Sequence, residues 1–141
     1  MSITFDSENI DFPNIKKREI ASWLKSVAKG YEKEVGEIAY IFCNDEKILE
    51  INRQFLKHDF YTDIISFDYS EDEIISGDIF ISLDTVLSNS QMYNTDYQDE
   101  LHRVIIHGVL HLCGFDDDSE ENIMLMKEAE DASLKLLKES K

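Results

Sequence analysis

Apolar positions along the chain recur at two periods, and the switches between them mark the elements. Ile20, Trp23, Leu24, Val27 and Ala28 fall at i, i+3, i+4, i+7 and i+8, the spacing of one helical face. That helix is predicted to follow Pro13 with Asn14 as its N-cap and to end near Gly30. Ile38 to Cys43 is a short apolar run of strand formers, after which Asn44 and Asp45 offer a cap for a helix carrying Ile48, Ile51 and Phe55. Asp63 to Phe67 and Asp78 to Ser82 have the composition of strands, separated by an acidic stretch, Asp68 to Gly77, that the pattern assigns to a loop outside the core. Asp84 is expected to cap a helix through Val86 and Leu87. Thr95 with Gln98 resembles a capping box opening a helix from Asp96 to Cys113, with Gly114 as its stop. Ser119, Glu120 and Glu121 start a last helix whose stripe is Ile123, Met126, Leu134 and Leu137, and Ile3 to Phe5 adds a fourth strand. The expected fold class is α+β (mixed α/β): one small mixed sheet of about four strands with about five helices.

The 141 residues match the length of one domain, without internal repeats or a low-complexity tract, so 1–141 is taken as a single unit. A hydrophobic content of 43% allows a core and excludes wholesale disorder. No stretch approaches the ~18 to 20 apolar residues needed to span a bilayer, and Met1 to Asp6 lack the pattern of a signal peptide. The expectation is a cytoplasmic protein with no membrane partner, whose two cysteines, Cys43 and Cys113, are free thiols. Thirty acidic against fourteen basic residues give a formal charge of -16, which argues against a nonspecific nucleic-acid binder and against DNA as a partner. A local basic groove is still compatible with that total, because charges beyond about 8 Å are screened.

The chemistry concentrates in His107-Gly108-Val109-Leu110-His111-Leu112-Cys113-Gly114-Phe115-Asp116-Asp117-Asp118. Histidines at i and i+4 share a helical face with Cβ atoms ~5 to 6 Å apart, so both imidazoles reach one tetrahedral metal. The spacing H-x3-H-x2-G-x2-D parallels the metzincin pattern H-x3-H-x2-G-x2-H, with Asp in the third place. Such a pair is often no more than a surface or core feature. Here Val104, Ile105, Ile106, Val109, Leu110 and Leu112 make the helix apolar nearly all round, which predicts a buried, central helix whose imidazoles need partners. Any of Asp116 to Asp118 is available as the third ligand, and spacing favours Asp117. HExxH peptidases carry their general-base Glu where this chain has Gly108. Two histidines and a carboxylate are also the ligands of the non-haem iron oxygenases, but nothing else in the chain points to a cosubstrate site.

Together these blocks resemble the YbeY family of rRNA-maturation metallo-endoribonucleases. Its signature, H-G-x-L-H-L-x-G-[YF]-D-H, is matched from His107 to Asp116, with Asp117 in place of the last His. A second family block, N-x3-R-x2-D-x-P-T-D-V-L-S-F, is similar to Asn52, Asp59 and Thr62-Asp63-Ile64-Ile65-Ser66-Phe67, and the family's G-D-I-x-I-S strand matches Gly77 to Ser82. The resemblance runs from Ile38 to Glu130. The family's Arg is Leu56 here and its proline is Tyr61, with Arg53, Lys57 and His58 as nearby cations.

The resemblance implies a single-strand-specific endoribonuclease acting on the 3′ end of 16S rRNA and in ribosome quality control, with single-stranded RNA and the small ribosomal subunit as partners. Thr62 and Ser66 are expected beside the metal helix as substrate contacts. Arg53, Lys57 and His58 are candidates to stand in for the missing Arg, the alternative for Arg53 and Lys57 being a solvated helix face. The hypothesis for RNA approach is a groove of Arg53, Lys57, His58, His102 and Arg103 with the acidic excess on the far side. The expected cofactor is one zinc ion held by His107, His111 and Asp117, with another divalent metal as the alternative, since an anionic third ligand makes harder metals more competitive. The metal would lower the pKa of water towards ~7 and stabilise charge developing on the phosphate. Asp116 is expected to orient a ligand imidazole, and Asp116 or Asp118 is the alternative proton acceptor. The competing functions are a noncatalytic ribosome-assembly or RNA-binding factor that retains a metal site, and a metallopeptidase.

Overall fold

The computed structural model describes residues 2–56 and 62–139, Leu56 by its backbone alone. Strands β1 (Ser2–Ser7), β2 (Glu34–Cys43), β3 (Ile64–Asp68) and β4 (Ile74–Ser82) form one sheet in the order β1-β2-β4-β3. β1, β2 and β4 run parallel, and β3 is antiparallel to β4 along an edge. The parallel pair β1 and β2 is joined through the crossover helix α1 (Lys17–Gly30), and β2 is followed by α2 (Asp45–Ile51) running into a π-helical turn at Asn52–Leu56, whereas α3 (Leu83–Met92), α4 (Tyr97–Leu112) and α5 (Glu120–Glu139) all follow β4. The α+β class, the four strands and the five α-helices agree with the periodicity.

Strand β4 corrects one expectation. Its residues Ile74 to Gly77 are not loop but the first half of the strand, with Ile75 fully buried; the acidic connection is confined to the turn around Glu71 to Glu73. The alternating positions Ile75, Gly77, Ile79 and Ile81 face the principal core, while Phe80, on the opposite face, joins Phe67, Ile65, Cys43, Ile48 and Ile51 in a second, smaller cluster under α2. Acidic neighbours masked a strand that is half buried.

Helix α4 is central, as its composition requires. It contacts β3 and β4 on one side and α1, α3 and α5 on the others, and Leu101, Ile105, Ile106, Val109 and Leu110 are fully buried. Two hydrogen bonds pin the layers: the Tyr40 hydroxyl donates to the Ile105 carbonyl at 2.6 Å, and Trp23 Nε1 donates to the Ser133 carbonyl at 2.8 Å. Gly108 sets how closely α4 approaches the sheet, because a Cβ there would lie 2.9 Å from Ile79 Cδ1 and 3.3 Å from Ile64 Cδ1. Overpacking of a tight core costs about 1 to 3 kcal/mol. Gly108→Ala is accordingly expected to lower the urea midpoint at unchanged m-value; a wild-type midpoint would mean that the helix can lift without cost.

Helix starts were the least legible part. α1 begins after Lys16, with no side-chain cap, rather than at Asn14. α3 is capped by Ser82, whose Oγ accepts from Thr85 N, and Asp84 instead accepts from the Asp45 backbone N–H at 3.0 Å. α4 is capped by Asp96 rather than Thr95, while the Asn44 cap of α2 is present, accepting from Lys47 N. Both cysteines are free; burial pushes the Cys43 thiol up to about 12 and Cys113 up to about 11, so neither is a thiolate at neutral pH.

A candidate metal centre on helix α4

His107 and His111 project from one face of α4, with ring centroids 5.1 Å apart. The helix ends in a Schellman motif: Gly114 N–H bonds to the His111 carbonyl and Phe115 N–H to the Leu110 carbonyl, both at 3.0 Å. Gly114 sits at φ +108°, a conformation that side-chain-bearing residues rarely adopt, so the reversal depends on glycine here. Phe115 is anchored against Tyr31, rings 5.0 Å apart, and the chain doubles back towards the imidazoles.

That reversal delivers Asp117. Its Oδ2 lies 3.6 Å from His107 Nε2 and its Oδ1 lies 3.7 Å from His111 Nε2. One ligand atom from each residue falls within 4.8 Å of the other two. Four ligand atoms ~2.1 Å from a tetrahedral zinc lie about 3.4 Å from one another, so the arrangement suits an ion of that size with little rearrangement. Two imidazole nitrogens and one carboxylate make a donor set suited to zinc and accessible to other divalent ions. Cys113 is not part of the cluster, so among the described residues three protein ligands are assembled and one side faces the cleft.

Glu130 on α5 orients the first imidazole. Its Oε2 is 2.7 Å from His107 Nδ1, which leaves Nε2 directed at Asp117, and its Oε1 accepts from Arg103 at 2.8 Å. Arg103 also donates to Asp131 at 2.6 Å, so α4 and α5 are locked together beside the ligands. Burial alone would lower the His107 pKa, but the Glu130 hydrogen bond and charge, with Asp117 and Asp63, outweigh it and hold the pKa above its usual 6.5. The orienting role expected of Asp116 thus falls to Glu130; Asp116 is exposed and does not line the cleft. Glu130 was legible in principle. It occupies the buried stripe of Met126, Ser133 and Leu137, and a carboxylate at a core position calls for a partner.

The cluster opens into a cleft of about 870 Å³ between α4, β3 and the start of α5. Thr62 and Ser66 line it, together with Asn52, as the sequence blocks led one to expect. Asp63 lines it as well, its carboxyl pKa raised chiefly by burial. Among the described residues the cleft does not show the expected basic groove. Among the described lining residues five are carboxylates (Asp63, Asp68, Glu100, Asp117 and Glu130), and the single arginine, Arg103, is engaged by Glu130 and Asp131. Arg53 does not line this cleft, and His102 faces away from it, edge-on to Trp23. Lys57, His58, Asp59 and Tyr61 lie outside the described residues, as does the Leu56 side chain.

Gly108 weakens the peptidase alternative. The position where an HExxH enzyme carries its base is buried against Ile79 and Ile64 and has no space for a glutamate. No helix among the described residues is long and apolar enough to cross a membrane.

Comparison with known proteins agrees with this arrangement. The family model described as Endoribonuclease YbeY matches residues 2–138. The chain is 58% identical over 139 residues to Endoribonuclease YbeY of Bacteroides fragilis, covering 99% of this chain and 100% of that protein. It is 49% identical over 138 residues to the Porphyromonas gingivalis protein of the same name, covering 98% of this chain and 91% of the relative. Among solved structures, that of TM1509 from Thermotoga maritima superposes with a TM-score of 0.70 at 26% identity, over 96% of this chain and 89% of that one.

Proposed function

The chain belongs to the family of YbeY endoribonucleases, hydrolases of RNA phosphodiester bonds, and from that premise we propose a single-domain, zinc-dependent enzyme of the cytoplasm that cuts single-stranded RNA. Its substrate is the 3′ end of 16S rRNA on the small ribosomal subunit, in maturation and in ribosome quality control. The observation that carries the reading is the convergence of His107, His111 and Asp117 in the lining of a cleft of about 870 Å³.

His107, His111 and Asp117 would hold the ion, which when bound supplies Lewis-acid polarisation of the phosphate and a more acidic water. The protein's own contribution is positional. Glu130 keeps the proton of His107 on Nδ1, so that Nε2 presents a lone pair, and Arg103 holds Glu130 in place. Asp63, buried at the cleft wall and favouring its protonated form more than a free aspartate, is better placed than Asp116 to exchange a proton with a group in the cleft. Thr62 and Ser66 offer hydroxyls along the edge strand to sugar or phosphate oxygens. With aspartate as the third ligand, the site carries one more negative charge than three imidazoles would.

The reading is tested by cleavage of a labelled single-stranded RNA with and without a chelator. Activity that chelation abolishes and added zinc restores is expected. No cleavage by zinc-loaded protein would favour a noncatalytic RNA-binding assembly factor, with Leu56 in place of the family's Arg as the reason, and cleavage indifferent to chelation would overturn the metal dependence.

A further inference from the structure

The lining of the cleft poses a binding problem for RNA. Phosphates normally supply the affinity for nucleic acid through lysine and arginine. Here five carboxylates face one arginine whose guanidinium is already committed to Glu130 and Asp131, so a divalent ion in the site still leaves the described lining net negative. Two further lining residues have a different character. Tyr93, at the C-terminal end of α3, is 64% exposed, and Ile123, in the first turn of α5, is 54% exposed; both line the same cleft as the metal ligands. What separates these two from the other exposed apolar side chains of the protein is that they line the cleft holding the candidate metal ligands, where an aromatic ring and an aliphatic side chain offer a contact surface.

We infer that Tyr93, with Ile123 in the same cleft lining, is the nucleobase platform of the cleft, so that the substrate is gripped by a stacked base rather than by its phosphates. This rests on the ribonuclease reading above and deepens it. A base stacks on an aromatic ring whatever its identity, which makes the grip tolerant of sequence. In a duplex both faces of each base are already covered, whereas a single strand can turn one out onto the ring. The platform thereby supplies selectivity for single strands, and the carboxylate lining reinforces it, since a duplex would bring a second row of phosphates against it.

The test compares zinc-loaded wild type, Tyr93→Ala and Tyr93→Phe on a fluorescein-labelled single-stranded RNA oligonucleotide over a series of salt concentrations, and on the same oligonucleotide carrying an abasic residue at each position in turn. Tyr93→Ala is expected to raise KM about tenfold with kcat falling less than about threefold, and Tyr93→Phe to keep the wild-type KM because the ring face is retained. The wild type should lose a similar factor on one abasic oligonucleotide, on which Tyr93→Ala loses nothing further. The slope of log KM against log salt should correspond to about one phosphate, below about 1. An unchanged KM in Tyr93→Ala, equal impairment of the Phe and Ala variants, or a slope of about 2 or more overturns the inference while cleavage by the wild type leaves the ribonuclease reading standing. A wild type that cleaves no RNA removes both.

Discussion

Replacing His111 by alanine is expected to abolish chelator-sensitive RNA cleavage while leaving the protein folded. The imidazole is half-exposed on the outward face of α4, so its truncation removes little packing, and substitutions at such positions change stability by within about 0.5 kcal/mol. The metal centre, by contrast, drops from three protein ligands to two. The check is a side-by-side preparation of wild type and variant: cleavage rate, bound zinc after dialysis, and the unfolding midpoint. Loss of zinc and of cleavage with an unchanged midpoint is expected. Retained cleavage would mean that the nuclease centre lies elsewhere or that a contaminant is being measured.

Removing the Glu130 carboxylate should be nearly as damaging, although Glu130 is not one of the three proposed ligands. Partners that orient a ligating imidazole typically contribute 10- to 100-fold in metal affinity or activity. Glu130→Leu is therefore expected to weaken zinc binding by about that factor, and Glu130→Gln, whose amide oxygen can still accept from Nδ1, by less. The pH dependence has a definite sign. In the wild type a proton competes with the ion for Nε2, and binding fails as pH falls through the raised pKa of His107. In the leucine variant burial dominates, the imidazole protonates less readily, and the midpoint of the loss moves to lower pH. The same shift links to stability in metal-free protein: a native pKa above the unfolded value stabilises the fold below pH 6.5 and ceases to do so as pH rises through the native value. Zinc titrations by competition with a chromophoric chelator at several pH values read both effects, and a midpoint that does not move in Glu130→Leu would show that Glu130 does not control the imidazole.

How much of this was written in the chain depends on the range of the interaction involved. The convergence of His107, His111 and Asp117 was legible because helix periodicity, a glycine stop and three further residues are all local, and local geometry carries them to one point. The half-buried strand under Ile74 to Gly77 was obscured by acidic neighbours, although every second residue faces the core. The caps at Asp84 and Thr95 failed because several Ser, Thr and Asp residues compete at each helix start, and the winner is decided by tertiary contacts such as that between Asp84 and the Asp45 backbone. Arg53 and His102 were grouped with the cleft on charge alone; the structure turns His102 towards Trp23 instead. Tyr93 left no signal at all, because a lone aromatic after a helix has no periodicity to announce it.

The reversal at Gly114 has a thermodynamic consequence for the C-terminal third of the chain. Asp117 sits on the short connection that leads into α5, and Glu130 reaches the site from nearly three turns into that helix. A cation in the cluster therefore acts as a staple between α4 and α5. By linkage, an ion at a hundred times its dissociation constant adds about 2.7 kcal/mol to the fold. That increment adds to the Arg103 ion pairs, the His107–Glu130 hydrogen bond and the shared apolar core that already join the two helices. If the cluster holds its ion, metal supply would bear on the lifetime of the folded chain as well as on turnover, with α5 the first element exposed to proteolysis when metal is scarce.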